Sequence, residues 1–327
     1  MNRNVLRRFV LFATWLTTPL LASADTLSLK VENDIIASGS DGHYSNGLEV
    51  IWGFEPQPLH WSRNFADILP GWSSAALDNV ALRFGHQIYT PDQIEIDGLI
   101  ENDRPYAGLM FAGLSLFADT RREGWRSTQG LHLDAGIVGP AAGGKRLQRV
   151  VHHITDSDEP NGWDHQLHNE PFVNLAYQHR WWLQHRLGGL ELEYGPSLGF
   201  ALGNLYTFAS AGLGMRLGRN LDRSFSIPAV TPAQSGTQFF RPGPGFGWYG
   251  FANLEGRYMA QNMLLDGNTF EDSHSVDRRE WVGDAKLGVA LTWTRWQLAF
   301  ASVWRTHEFE GQQKHDQFGS ITLSTWL

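Results

Sequence analysis

Apolar and polar residues alternate along most of the chain, as they do in β-strands whose two faces meet different surroundings. In the first such segment Leu27, Leu29 and Val31 share one face, and Ser28 and Lys30 lie on the other. The pattern recurs over residues 27–31, 48–52, 80–84, 131–137, 173–181, 190–194, 248–258 and 287–293. Charged residues opposite a continuous apolar face indicate strands with lipid outside and a polar interior.

Counting all candidate segments along the chain predicts about twelve strands, an even number, as expected of a bacterial outer-membrane barrel. We therefore expect an all-β fold, a transmembrane antiparallel up-and-down β-barrel. The barrel should be closed, because an open sheet edge leaves backbone groups unsatisfied in lipid. A soluble β-sandwich is the alternative, since alternation alone does not exclude it.

The first 24 residues have the pattern of an export signal. Arg3, Arg7 and Arg8 precede an apolar run over residues 9–21, and Ala22-Ser23-Ala24 is the small-residue pattern cut by a signal peptidase. We expect cleavage after Ala24. The remaining residues, 25–327, are then expected to form a single barrel domain in the outer membrane of a Gram-negative cell.

Composition narrows the classes of function further. The chain contains no cysteine, which excludes disulfide scaffolds and thiolate metal sites. Its formal net charge of -8 argues against nucleic acid as a partner. Fourteen tryptophans fit the aromatic girdles of a membrane barrel.

One stretch departs from the β pattern. Between residues 143 and 156, Leu147, Val150, Val151 and Ile154 recur at helical spacing. We predict a short amphipathic helix in an extracellular loop there. Proline-rich segments 55–58 and 228–244 are predicted to be loops.

Polar clusters follow the first, third and fifth predicted strands and precede the second. In an up-and-down barrel these positions meet at one rim. Any single cluster is explained by ordinary turn chemistry, but their shared placement favours a site. The clusters are Glu32-Asn33-Asp34, residues 43–47, residues 101–104, and a loop over 152–170 that is rich in histidine and acids.

Several spaced motifs occur in order along the chain and together resemble the outer-membrane lipid A 3′-O-deacylase family. The resemblance covers essentially all of residues 25–327. The motifs are Glu32-Asn33-Asp34, Asp41-Gly42-His43-Tyr44-Ser45-Asn46-Gly47, Asp103-Arg104-Pro105-Tyr106-Ala107-Gly108, Gly139-Pro140 with Gly143-Gly144, Gln148 and His152, and Gly162-Trp163-Asp164-His165-Gln166-Leu167 with Asn169-Glu170.

This resemblance implies a twelve-stranded barrel with a calcium-dependent site at its outer rim, which removes the 3′-linked acyloxyacyl group of lipid A. The family's essential residues fall on Asn33, Asp34, Ser45 and His152. The family position at Ser45 is often threonine, and either hydroxyl supplies one hydrogen bond.

In our first interpretation His152 deprotonates a water that attacks the ester, since imidazole both takes and returns protons near neutral pH. Asp34 and Asn33 would hold Ca²⁺, and Asp158 or Glu170 would either orient the base or complete the oxygen ligands of the metal. Strand parity presents a difficulty. Asp34 and Ser45 lie on inward positions, whereas Asn33 shares the parity of the apolar face, so a bulge or strand end must turn it to the rim.

Two alternatives remain open at this point. His43 and Ser45 are two residues apart, so a regular strand places them on one face. His-x-Ser-Asn resembles the segment of phospholipase A and of the lipid A 3-O-deacylase in which serine is the nucleophile and histidine its base. Alternatively, the barrel is a pore or anchor without catalysis, and its inward charges line a channel.

The sequence gives little information about contacts with the substrate. Lipid A carries phosphates, which favour arginine and lysine partners. Arg104, Lys145 and Arg149 are the candidates at the rim, although Lys145 and Arg149 are equally explained as the solvated face of the predicted helix. We expect lipopolysaccharide and outer-membrane lipid as partners, and a monomer.

Overall fold

The chain forms a closed barrel of twelve antiparallel strands, which confirms the predicted fold class. The structure is a computed structural model and describes residues 25–34, 36, 43–69, 72–155, 159–228 and 239–327. Each strand pairs with its sequence neighbours, and β1 closes the cylinder against β12. The predicted signal peptide lies outside the described residues.

The strands are 9 to 18 residues long. Their bounds are β1 Asp25–Asn33, β2 His43–Phe54, β3 Leu77–Thr90, β4 Ala107–Arg122, β5 Trp125–Val138, β6 Glu170–Leu187, β7 Leu190–Gly203, β8 Tyr206–Arg219, β9 Gly247–Asn262, β10 Trp281–Thr292, β11 Trp296–Arg305 and β12 Asp316–Trp326.

The two faces of the strands divide as the alternation predicts. On β1, Leu29 is 46% exposed on the outer surface, whereas Lys30 is 2% exposed and points inward. Lys30 Nζ lies 3.2 Å from Glu32 Oε1 and 2.9 Å from Glu49 Oε2. The buried charge of Lys30 is tolerated because these two carboxylates pair with it. The interior is therefore polar, with its charged side chains in ion pairs, and the exterior is apolar.

Ion pairs of this kind continue around the lumen. Asp284 accepts hydrogen bonds from Arg257 Nη1 at 2.8 Å and from Arg305 Nε at 2.9 Å. Arg83 on β3 pairs with Glu49 on the neighbouring β2 and with Asp134 on β5. These inward charges are therefore paired with one another along the inner wall.

The connection between β8 and β9 enters the barrel and packs inside it. Phe225 and Phe239 form a buried cluster with Ile51, Ala81 and Phe117, which point inward from β2, β3 and β4. The sequence predicted a loop over 228–244, of which residues 229–238 lie outside the described part. Its described flanks plug the end of the barrel that carries the chain termini.

Three helices occur in the described connections: α1 Trp61–Ile68, α2 Gly144–Thr155 and α3 Met263–Asp266. Short 3₁₀ turns span Pro140–Ala142, Gly162–His165 and Leu221–Arg223. The helix predicted over 143–156 is confirmed as α2. Segment 55–58 is a loop as predicted, but α1 directly after it was not predicted.

Within the described residues, no helix is both long enough and apolar enough to cross a membrane.

The barrel has two unlike ends. Connections after β1, β3, β5, β7, β9 and β11 share one end, which we call the loop end, and the chain termini share the other, the terminal end. Outer-membrane barrels place their longer loops outside the cell and their turns in the periplasm. The loop end thus corresponds to the predicted extracellular rim.

Candidate functional site

The site begins where β1 reaches the loop end. Glu32 points into the lumen, where its Oε2 accepts a hydrogen bond of 2.6 Å from Tyr44 Oη. Asn33 follows Glu32 and therefore faces the outer surface. Its Nδ2 donates to the main-chain carbonyl oxygen of Ser45 on β2. This contact joins two residues that the sequence had placed on opposite faces.

A β-bulge on β2 resolves the parity difficulty. The pairing of β2 with β3 shifts register between Tyr44 and Asn46, so Ser45 is the extra residue. Because one inserted residue shifts the alternation by one position, Tyr44 before the bulge lies inside, as Gly47 and Glu49 after it also do. The sequence predicted a bulge or a strand end near Asn33: β1 does end at Asn33, and the bulge lies on β2 at Ser45.

The Ser45 hydroxyl lies 2.7 Å from the Thr90 hydroxyl. Tyr89 points into the lumen, where its hydroxyl lies 3.3 Å from that of Tyr206. Thr90, the next residue, therefore lies on the outer side of β3. Ser45 and Thr90 are both buried, so a loop or helix covers this part of the outer wall.

His43 does not form the proposed pair with Ser45. Its Nδ1 contacts Asp316 Oδ1, and its Nε2 lies 3.5 Å from Asp103 Oδ1. Its φ of 62° places the backbone in the left-handed region, which breaks the regular strand geometry on which the dyad depends. Both ring nitrogens thus face carboxylates, and the Ser45 hydroxyl faces Thr90. In this structure the serine–histidine alternative has no geometric support.

Asp103 is held firmly in the loop after β3. Burial acts to raise the pKa of its carboxyl, but the hydrogen bond with His43 and those from two backbone amides lower that pKa below its ordinary value. The amides belong to Asp92, at 2.8 Å, and Arg104, at 2.7 Å. The Asp103 carboxylate therefore ties the 91–106 loop to β2.

Helix α2 lies against the outer wall of the barrel. Its start approaches β4 so closely that a Cβ built on Gly108 would lie 2.9 Å from Gly144 Cα. Leu147 packs against a cluster of Ile88, Ile94, Tyr106 and Trp163. Two glycines in van der Waals contact thus seat the helix directly on β3 and β4.

His152 lies on the buried side of α2 and is 7% exposed. Gln148 is one turn earlier on the same side, is 2% exposed, and accepts a hydrogen bond of 2.7 Å from Trp163 Nε1. Within the described part of the chain the Gln148 Nε2 group has no hydrogen-bond acceptor. His153, in contrast, faces solvent. The helix thus points one histidine and one amide donor toward the wall.

These groups share one end of the barrel. Asp34 directly follows β1 at the loop end and is 2% exposed. The connection that carries α2 leaves β5 and enters β6 at the same end. Asn33, Asp34, Ser45 and His152 therefore lie at the same end of the barrel. That they act together as one site stays a prediction.

The residues fit part of a calcium site. Asn33 Nδ2 donates to the Ser45 carbonyl, and the same amide carries an oxygen, which is a ligand type that Ca²⁺ accepts. Asp34 adds a buried carboxylate. Ca²⁺ takes six to eight oxygen ligands, so these two residues are an incomplete set. Among the described residues, no three acidic or histidine side chains converge in a preformed metal cage. Asp158 lies outside the described residues.

Glu170 has a different set of partners from the one predicted. Its Oε2 accepts hydrogen bonds from Thr269 N at 2.8 Å and Asn268 Nδ2 at 3.2 Å, and its Oε1 accepts one from Asn204 at 3.2 Å. The carboxylate thus fastens the 268–270 loop to β6. These contacts do not support the predicted metal role of Glu170, which stays a prediction.

The three predicted substrate contacts differ in placement. Arg104 is 1% exposed, with its guanidinium over the Tyr89 ring and 3.4 Å from Glu308, so it points inward and cannot meet a phosphate at the surface. Its predicted substrate role is corrected on that ground. Lys145 donates to Asp164 at 2.6 Å and is partly exposed. Arg149 is exposed on the solvent side of α2.

Comparison with known proteins identifies the family. The family model described as "Outer membrane protein LpxR" matches residues 9–327. The chain belongs to the LpxR outer membrane protein family. No curated protein sequence matches it.

One solved structure agrees with the fold. LpxR from Salmonella typhimurium superposes with a TM-score of 0.78 at 18% identity, covering 92% of this chain and 100% of that one. The β-domain of the Bordetella autotransporter BrkA gives a TM-score of 0.47 at 11% identity, covering 93% of this chain and 98% of that one. As a member of the LpxR family with a closed barrel, this protein resides in the outer membrane.

Sequence reasoning missed several parts of the LpxR-family site in this chain. Thr90, the partner of Ser45, stands in an ordinary strand and carries no motif. Gln148 and Gly108 were noted only as motif residues, without roles. Their signals were present in retrospect, since a glycine in a strand often marks a close backbone approach.

Proposed function

We propose that this protein is a calcium-dependent lipid A 3′-O-deacylase, which hydrolyses the 3′-linked acyloxyacyl ester of lipopolysaccharide. The observation that carries the proposal is the position of Asn33, Ser45 and the buried face of α2 on the outer side of the wall at the loop end. A lipid in the outer leaflet reaches such a site by lateral diffusion. Its ester would then approach these residues from the membrane side of the wall.

His152 acts as the general base. Its imidazole accepts a proton from a water molecule, the water oxygen forms a bond to the ester carbonyl carbon, and the same imidazole returns the proton to the departing 3′ oxygen. One C–O bond forms and one breaks, giving a free acid and a hydroxyl. Burial of His152 against the wall favours this exchange because bulk water is kept away from the reacting atoms.

The remaining side chains position the reacting groups. Asn33 and Asp34 would hold the cation, and bound Ca²⁺ would supply positive charge beside the ester carbonyl oxygen. Asn33 also fixes the bulge through the Ser45 carbonyl. The Ser45 hydroxyl is oriented by Thr90. The Gln148 amide offers a buried N–H donor on the same helix face as His152, suited to a carbonyl oxygen.

Two observations weigh against the competing interpretations. The carboxylates around His43 oppose a serine nucleophile activated by that histidine. Against an open pore stand the ion pairs of the lumen and the aromatic plug from the β8–β9 connection.

The test is mass spectrometry of lipid A incubated with purified protein. We expect loss of one acyloxyacyl unit, abolition of that loss by EDTA, and its return on adding calcium. Intact-protein spectra during turnover should show no acylated enzyme. An unchanged lipid A spectrum with calcium present contradicts the enzyme, and an acyl adduct that disappears in Ser45→Ala contradicts the water mechanism.

A further inference from the structure

Helix α1, Trp61–Ile68, lies at the terminal end of the barrel, opposite the candidate site. It belongs to the connection between β2 and β3, which spans residues 55–76. Ordinary periplasmic turns in such barrels are short. The lengths of this connection and its helix therefore call for a physical explanation.

One side of α1 packs on the outer surface of the barrel. Ser62 and Ala66 are fully buried, and Ala66 joins a cluster with Val80, Leu116 and Phe54. Val80 and Leu116 pair across β3 and β4, two residues from Leu82 and Leu114, and Leu82 is 43% exposed on the outer surface. The helix thus lies beside the wall, on its lipid side, and does not close the lumen.

Arg63 fixes the helix in this position. Its guanidinium donates to the carbonyl oxygens of Pro56 at 2.7 Å, Ser74 at 2.5 Å and Leu77 at 3.3 Å. These three carbonyls lie on both sides of α1 along the chain. The orientation of the helix relative to the barrel is therefore set by hydrogen bonds as well as by packing.

A second side of α1 is apolar and exposed. Trp61 is 52% exposed, Phe65 37% and Ile68 79%, and Leu59 just before the helix is 98% exposed. At about 100° per residue, Trp61, Phe65 and Ile68 project in one direction, roughly a third of a turn from the packed side. We call these three residues the apolar face of α1.

The third side of α1 is polar, with Asn64 and Asp67 exposed. A helix with one apolar and one polar exposed side is suited to the plane of a membrane interface, where the first side meets acyl chains and the second meets water. Its two aromatic residues match the enrichment of aromatic side chains at membrane interfaces.

We infer that α1 is an interfacial anchor, whose apolar face is immersed in the phospholipids of the periplasmic leaflet. The occupant is lipid because the apolar face is continuous with the lipid-facing wall: the same cluster that seats α1 is extended by Trp52, Leu114 and Leu131 on the outer surface. The anchor fixes the depth and rotation of the barrel in the membrane. This role is separate from the proposed hydrolysis.

The absence of cysteine allows a direct test, because a single introduced cysteine is the sole labelling site. Ile68→Cys and Asn64→Cys are matched variants on the apolar and polar sides of one helix, both at exposed positions whose replacement leaves the packed side intact. Each full-length protein carries a nitroxide spin label and is reconstituted into phosphatidylethanolamine–phosphatidylglycerol vesicles.

We expect the label at residue 68 to collide several-fold more with oxygen, relative to a water-soluble nickel chelate, than the label at residue 64. Equal accessibility at the two positions, or nickel access at residue 68, overturns the inference. So does dipolar broadening between labels at residue 68 that vanishes on dilution with unlabelled protein, because a second copy then covers the apolar face.

Discussion

The contact between Gly108 and Gly144 makes the placement of His152 testable without touching a chemical group. In Gly108→Ala the new Cβ would lie 2.9 Å from Gly144 Cα and 3.0 Å from Gly144 N. Carbon atoms in favourable contact are about 3.5 Å apart. Because the obstructing atoms are backbone, the start of α2 must move outward by roughly 0.6 Å.

A misplacement near 1 Å can cost about 100-fold in rate, so we expect the kcat of lipid A deacylation to fall by ~10 to 100-fold in Gly108→Ala. The barrel itself should fold normally, since the added methyl projects outward. Gly256→Ala is the matched control: Gly256 also lies within a strand, and a Cβ added there meets nothing within 4 Å.

The assay measures initial rates with purified lipid A at saturating calcium, alongside thermal unfolding of both variants. Gly108→Ala should lose turnover at unchanged unfolding temperature, and Gly256→Ala should match the parent protein. A fully active Gly108→Ala, or equal losses in both variants, would refute the seating of α2 as a requirement for activity.

Three further predictions follow from contacts near the site. His43→Gln should retain deacylation but lose roughly 1–3 kcal/mol of stability in urea unfolding, because the substitution leaves buried carboxylates without a partner. Loss of turnover in a folded variant would instead support the serine–histidine mechanism. Glu170→Gln should loosen the attachment of the 268–270 loop to β6 yet leave the calcium concentration for half-maximal activity unchanged. A rise in that concentration would show that Glu170 is a metal ligand. The pKa of the Asp103 carboxyl is lowered in the folded protein. The ionised carboxylate therefore stabilises the 91–106 loop fully above the ordinary pKa of about 3.9, and this stabilisation is lost as pH falls through the lower folded pKa. Hydrogen exchange of the 91–106 loop should accelerate across that acid range, and Asp103→Asn should remove this pH dependence; an unaltered profile in the variant contradicts the assignment.

The barrel was predictable because each strand has one face toward lipid and one face toward an interior whose charged side chains are paired. Leu29 and Lys30 show the principle, since one is exposed on the wall and the other is buried among carboxylates. The bulge at Ser45 could not be predicted from this alternation. One extra residue reverses the faces that precede it, and nothing in the residue types of Tyr44-Ser45-Asn46 marks the insertion.

Residues in the connections were harder to place. Helix α2 has a strong apolar periodicity and was predicted within a residue or two of its bounds. Helix α1 has eight residues, too few for its spacing to stand out beside the proline-rich segment before it. Arg104 was expected at the rim, but the side chain turns inward to Glu308, a partner 204 residues away that no local pattern indicates.

The central claim is that His152, on the buried side of α2, exchanges the proton of the hydrolytic water. The adjacent His153 is exposed and provides a matched control on the same helix. The decisive measurement is the rate of acyloxyacyl release from lipid A by His152→Gln and His153→Gln at saturating calcium. We expect His152→Gln to lose at least ~100-fold, the usual scale of general acid–base catalysis, and His153→Gln to match the parent protein. Comparable activity in both variants would contradict the account.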